Sequence, residues 1–237
     1  IELRILAHIS QDPGLIKAFK EGLDIHTATA AKIFKISPEQ VTKQQRNVGK
    51  TMNFATLYGQ GPHALSRQLG VDFATARQYI EEYFAQFPKV KAWMEKVLEE
   101  GRKNGDVETI SGRRRYIPEL VSQNHMLRSA GERAAVNHPA QGSSADMIKM
   151  AMVEIDRELT GYSEQVAVKQ NYNLKPETCN LILQVHDELL FECNESSAQE
   201  LAKLVKDKME NALKLSVPVV VDLKVGSNWG EMEKLKV

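Results

Sequence analysis

The chain has 237 residues, 42% of them apolar, which is enough to bury a substantial core in one large or two modest domains. Lysine plus arginine equals aspartate plus glutamate at 31 each, so net charge does not mark a nucleic-acid binder, and any such surface has to be local. No stretch approaches the roughly 18 apolar residues of a membrane span and no secretory leader is visible; two cysteines without metal-ligand spacing fit a reducing compartment. In chain order, helices are expected over 15–19 and 24–34, each broken by glycine or proline. A longer helix is expected over 38–58. Ser37 would be its N-cap, Pro38 its first residue and Gln40 the third position of a capping box. Gly59 to Pro62 would end it. Gly49 inside that helix costs about 1 kcal/mol relative to alanine, which points to close approach by another backbone or a ligand.

Further helices are expected over 61–69, 73–84 and 90–103, then a short extended stretch over 107–110. Arg113, Arg114 and Arg115 form the densest basic cluster, introduced by a turn at Gly112; a solvated charge run is its ordinary reading. A helix over 122–136 is expected to stop at Pro139 and resume over 144–159. Residues 160–180 read as a polar, irregular surface insertion. Apolar runs over 181–185 and 189–191 make two strands of a tight hairpin, with His186, Asp187 and Glu188 at the tip. If His186 and Asp187 are the turn, Cys193 pairs with Asn180, so the thiols of Cys179 and Cys193 point to opposite faces and no disulfide is expected. A helix over 197–213 and a third strand over 217–225 complete the chain.

Two features carry chemistry. Arg46, Lys50, Phe54 and Tyr58 recur at every fourth position, and on a helix they share about a 120° arc along roughly 18 Å of one face. That face is cationic first and aromatic afterwards, the polarity of a nucleoside triphosphate. The ordinary alternative is a solvated Arg-Lys pair beside an aromatic core stripe. The second feature is the carboxylate pair beside a histidine at the hairpin tip. Asp and Glu in a turn are often merely solvated, but rigidly held oxygen ligands are also what a hard divalent cation takes.

Segment 46–59, with Arg46, Gly49, Lys50, Phe54, Tyr58 and Gly59, resembles motif B of the family A DNA polymerases, the bacterial DNA polymerase I type. Val185, His186, Asp187 and Glu188 resemble motif C, and residues 1–8 resemble the second half of motif A. The similarity extends through 111–116, 133–141 and 225–230. It implies an α+β, right-hand architecture: palm over 1–22, helical fingers over 23–121 and antiparallel-sheet palm over 122–237. The opening aspartate of motif A, five residues before Glu2, would fall ahead of Ile1. By this resemblance the chain is a C-terminal fragment, without thumb or exonuclease-like region, and inactive in primer extension by itself.

The resemblance also implies roles. Asp187 is a magnesium ligand, one of the groups holding two Mg²⁺ ions in the full-length enzyme, with Glu188 a weaker ligand. Arg46 and Lys50 hold the triphosphate, Lys50 protonates the leaving pyrophosphate, and His26 lies near the β-phosphate. Phe54 packs on the sugar and base. Tyr58 stacks at the template-primer end and, with Glu2, crowds the 2′ position against ribonucleotides. Arg133, Asn137 and Gln141 read acceptors shared by every base pair in the minor groove, their convergence expected from a loop at Pro139, and His186 sits at the primer terminus. Ala55 stands where the family usually has glycine, a methyl expected to tighten the nucleotide pocket. Asn47 stands where many relatives have a second arginine. Primer-template DNA, dNTPs and the N-terminal remainder of the polymerase are the implied partners, with no membrane association and a bacterial cytoplasmic setting or an organelle. A single-subunit phage-type RNA polymerase, against which Glu2 and Phe54 argue, and a non-catalytic DNA-binding remnant are the alternatives.

Overall fold

The computed structural model describes residues 1–160 and 178–237. Most of the insertion expected over 160–180 lies outside them, although Cys179 and Asn180 belong to a strand. The chain divides into two compact units, one of Ile1–Ser143 with Leu215–Pro218 and one of Ser144–Lys214 with Val219–Val237.

The first unit is largely helical. The pattern reading assigns no element to the opening residues, which form α1 (Glu2–Ser10) and bury Leu3, Ile5, Leu6 and Ala7. Segment Leu215–Pro218 is tied to α1 by Arg4 Nε donating to Pro218 O at 3.0 Å and by His8 Nδ1 at 3.0 Å from Ser216 Oγ. Helix α2 (Pro13–Lys20) begins at Asp12, whose Oδ1 accepts from Gly14 N and Leu15 N while Oδ2 accepts from Lys89 N. One buried carboxylate thus satisfies orphan N–H groups of α2 and of α7 (Pro88–Asn104) together.

Helix α3 (Ile25–Phe34), capped by Asp24, packs on α4 (Lys43–Leu57). The long helix expected over 38–58 is two elements. Pro38–Gln40 forms a single 3₁₀ turn, in which Gln40 Oε1 accepts from Ser37 N, and Val41 then becomes extended. Thr42 restarts the chain with its own capping box: its hydroxyl accepts from Gln45 N, and Gln45 Oε1 accepts from Thr42 N. Two capping boxes five residues apart compete for one N-terminus, and the β-branched Val41-Thr42 pair favours the break. Helices α5 (Pro62–Leu69), α6 (Phe73–Gln86) and α7 follow close to the expected limits. Strands β1 (Asp106–Glu108) and β2 (Arg114–Tyr116) form a small antiparallel hairpin.

Helix α8 (His125–Thr160) overturns the break expected at Pro139, which lies inside one continuous helix. Proline costs about 3 kcal/mol in a helix interior, and burial outweighs it. Ala135, Val136, Ala140 and Ser143 bury the face around Pro139, Ala135 within a cluster with Val107, Ile117 and Leu120. Ser143 Oγ accepts from Ile110 N at 2.9 Å, and a Cβ on Gly142 would come within 2.6 Å of Thr109 Cγ2.

In the second unit, β3 (Cys179–Val185) and β4 (Glu188–Cys193) pair as the expected hairpin, with His186 and Asp187 as its two-residue turn. Leu189, Phe191 and Cys193 pack on Ile155 and Leu159 of α8 and on Leu201, Leu204 and Val205 of α9 (Ala198–Asn211). Lys208 of α9 also donates to Glu158 of α8 at 2.9 Å. The register corrects the cysteine geometry. Leu181 pairs with Phe191 but Leu183 with Leu190, so Ile182 is an extra residue, a β-bulge, and Cys179 stands opposite Cys193. Both thiols are free.

The strand expected over 217–225 is not one element. Only β5 (Lys224–Val225) is a strand, and it pairs with β6 (Glu233–Lys234) rather than with the hairpin. Pro218 lacks an N–H for a ladder, and its carbonyl accepts from Arg4. The fold is α+β, helices with three two-stranded antiparallel sheets among the described residues. No helix among these residues is long and apolar enough to cross a membrane.

Candidate functional site

Nine of the residues singled out in the sequence lie in the first unit: Glu2, His26, Arg46, Lys50, Phe54, Tyr58, Arg133, Asn137 and Gln141. Helix α4 supplies Arg46, Lys50 and Phe54, and Tyr58 is its C-cap. The spacing by four holds despite the later start of the helix. The aromatic half is continuous, with the Phe54 ring centroid 6.0 Å from that of Tyr58 and 6.0 Å from that of His26 of α3.

The two helices meet at Gly49. A Cβ there would sit 2.2 Å from His26 O and 2.9 Å from Ala30 N, so only glycine lets α3 approach closely enough to bring His26 to the α4 ridge. The closely approaching group expected from Gly49 is therefore α3. Asn53, one turn further on the same buried face, donates through Nδ2 to Gly49 O at 2.9 Å and contacts His26 Nδ1 at 3.1 Å.

At the cationic end, Arg46 Nε donates to Asp24 Oδ2 at 2.5 Å, and Asp24 Oδ1 accepts from the backbone N–H groups of His26 and Thr27. Burial pushes the Asp24 carboxyl up, but Arg46 and the two N–H groups together hold it below its ordinary value. His26 is held below its ordinary value, chiefly by burial, with the Asp24 charge opposing and the Arg46 and Lys50 charges adding to the depression. His26 is therefore mostly neutral at pH 7, in the field of both cations. An anion entering here meets two positive charges, Arg46 tied to Asp24 and the exposed Lys50.

At the aromatic end, the Tyr58 hydroxyl donates to Glu2 Oε2 at 2.8 Å, which locks α1 to the end of α4. Burial first, then the Glu2 carboxylate, push the phenol up to about 12, and Gln141 of α8 hydrogen-bonds the same hydroxyl. Gly59 has φ +62°, and its Cα faces the Arg133 stem: a Cβ there would lie 3.6 Å from Arg133 Cγ. Arg133, Asn137 and Gln141 are thus gathered by one helix and not by the loop expected at Pro139. Arg133 and Gln141 are exposed, whereas Asn137 is half-buried with its Oδ1 unpartnered. The Ala55 methyl is buried at 3% exposure, so it packs into the unit's interior and not onto the ridge.

The remaining three, His186, Asp187 and Glu188, are exposed at the β3–β4 tip in the second unit. His186 has φ +52°. The other two non-glycine residues with positive φ among the described residues, Gln11 and Lys35, are helix C-caps, where that conformation is ordinary. In a hairpin turn it is the glycine-preferring position, and Gln184 Nε2 donating to His186 O at 2.7 Å helps to hold it. Among the described residues no group of three or more His, Cys, Asp or Glu side chains is gathered as a metal ion requires. The arginine cluster is partly occupied: Arg114 pairs with Asp106 and Glu108 and lies over the Tyr116 ring.

Sequence reasoning missed Asn53 and Asp24. A buried asparagine four residues after a helix glycine, and an aspartate placed to cap the helix that carries His26, are the signals that mark them.

Residues 1–231 match the family model for DNA polymerase family A. The thermostable DNA polymerase I of Thermus filiformis is 47% identical over 234 residues, 99% of this chain and 26% of that protein. DNA polymerase I of Streptococcus pneumoniae serotype 4 is 44% identical over 232 residues, 98% of this chain and 25% of its own length. A solved structure of the POL domain of Pol1 from M. smegmatis, in complex with DNA primer-template and dNTP, superposes with a TM-score of 0.83 at 40% identity, over 92% of this chain and 36% of that one. The chain thus spans about a quarter of the length of these curated relatives. With the cationic-to-aromatic ridge on α4, the locked Glu2–Tyr58 pair and a match running from residue 1 to 231, the chain belongs to DNA polymerase family A.

Proposed function

We propose that this chain forms the nucleotide-binding fingers and much of the palm of a DNA-directed DNA polymerase, acting within a longer polymerase chain in replication or repair. The observation that carries the reading is the α4 ridge, cationic at Arg46 and Lys50 and aromatic at Phe54 and Tyr58, with His26 brought beside it by Gly49. Arg46, Lys50 and His26 hold the triphosphate of an incoming dNTP, and Phe54 packs on its sugar and base. Tyr58, fixed by Glu2, closes the space where a ribose 2′-hydroxyl would lie. Lys50 gives a proton to the departing pyrophosphate as the primer 3′-hydroxyl attacks the α-phosphorus.

Arg133, Asn137 and Gln141 present donors along α8 for the minor-groove edge of the primer-template, where purine N3 and pyrimidine O2 accept whatever the sequence. The fingers span 23–121, and the palm 1–22 and 122–237. His186 approaches the primer terminus. The exposed carboxylates of Asp187 and Glu188 suit Mg²⁺, a cation that takes oxygen ligands, but the described residues hold only part of such a ligand set. When bound, two such ions would activate the 3′-hydroxyl and neutralise the leaving group.

Incorporation of dNTP against rNTP on a primer-template by the polymerase containing this chain tests the reading. It predicts strong preference for dNTP that weakens when Glu2 becomes alanine. Equal use of both sugars by that polymerase without the substitution would contradict it.

A further inference from the structure

Asn53 is fully buried on α4 and holds a network that the ridge itself does not use. Its Nδ2 lies 2.9 Å from Gly49 O, an atom that can only accept, so the amide orientation is fixed: nitrogen toward Gly49 and His26, oxygen toward Thr29. The Thr29 hydroxyl, 3.2 Å from Asn53 Oδ1, also reaches Ile25 O at 2.8 Å and closes the far side. With one Nδ2 proton on Gly49 O, the other points along the 3.1 Å contact to His26 Nδ1. A donor aimed at a ring nitrogen requires that nitrogen to carry a lone pair.

We propose that Asn53 is a positioning residue that locks His26 in the tautomer protonated at Nε2, making the imidazole a neutral N–H donor beside Arg46 and Lys50. Two protons facing each other across the Asn53–His26 contact would oppose a second proton on the ring. The charged groups that act on His26 are Asp24, at the cap of its own helix, which favours the charged ring, and Arg46 and Lys50 of α4, which disfavour it; burial sets the net direction downward. A neutral donor suits a triphosphate site because it keeps one protonation state across neutral pH while the fixed charges come from Arg46 and Lys50. That last step rests on the proposed binding of the triphosphate at this end of the ridge; the tautomer lock does not.

Long-range ¹H–¹⁵N correlation on protein labelled with ¹⁵N-histidine tests the lock in the unaltered chain, with the His26 signal assigned by its loss in His26→Gln. An unprotonated Nδ1 and a protonated Nε2 near pH 7.5 are expected; the opposite tautomer, or an even mixture, overturns the proposal. In Asn53→Asp, a carboxylate replaces the donor, so the proton should move to Nδ1 and the His26 titration midpoint should rise by about one unit or more. Retention of the original tautomer in that variant also overturns it. In the polymerase carrying Asn53→Asp, KM for dNTP should rise about tenfold with kcat changed less than about threefold. Inversion of the tautomer with KM unchanged would support the lock and remove His26 from the triphosphate contacts.

Discussion

Tyr58 shows how one side chain's environment fixes its role. Its hydroxyl is a donor to Glu2, and burial together with that carboxylate pushes the phenol to about 12. The folded chain therefore keeps the proton between pH 10 and about 12, where an unfolded tyrosine near 10 has lost it. The resulting contribution to stability is complete below pH 10 and disappears as pH rises through 12. Difference absorbance of the phenolate between this protein and Tyr58→Phe measures the midpoint. Glu2→Gln should bring it part of the way back toward 10, since burial remains; a midpoint indifferent to Glu2 would remove the lock. His186 makes a second case at this scale. A histidine in the left-handed region of a hairpin turn costs about 1 kcal/mol or more relative to glycine. His186→Gly should raise stability by about that amount in denaturant unfolding while impairing primer extension by the polymerase containing this chain. A loss of stability instead would show that the side chain supports the hairpin.

At the scale of elements, the α3–α4 crossing was legible because Gly49 is a costly residue inside a helix and glycine there has a geometric reason. Gly49→Ala would help an exposed helix by about 1 kcal/mol; here it should destabilise by about 1–3 kcal/mol, because the added Cβ meets the His26 carbonyl and not a movable side chain. A rise in the unfolding midpoint would contradict the crossing. Other elements could not be read from the pattern, for physical reasons. Pro139 is a strong local stop signal, but the burial of Ala135, Val136, Ala140 and Ser143 overrides it, and no local rule carries that information. The bulge at Ile182 was hidden because Leu181, Ile182 and Leu183 are all apolar, so alternation does not choose a register. Residues 217–225 alternate like a strand yet follow other contacts, with Pro218 held by Arg4. The ridge residues were legible because period four survives a shift of the helix start from Pro38 to Lys43; Asp24 and Asn53 act through partners more than 20 positions away, which spacing alone does not reveal.

For the whole molecule, a balanced total charge conceals a local arrangement: two cations and a neutral histidine at one end of α4, with Asp24 tempering Arg46. DNA affinity comes mainly from phosphate contacts spread over a surface, whereas the α4 cations are assigned to a single incoming nucleotide. Binding of DNA and turnover should therefore separate. The most direct measurement is single-turnover dNTP incorporation on a defined primer-template, alongside DNA binding at the same salt, for the polymerase containing this chain and its Lys50→Ala variant. The maximal incorporation rate should fall by about a hundredfold or more while the Kd for DNA stays within about threefold. Equal losses in both, or an unchanged incorporation rate, would contradict the assignment of the α4 ridge to the triphosphate.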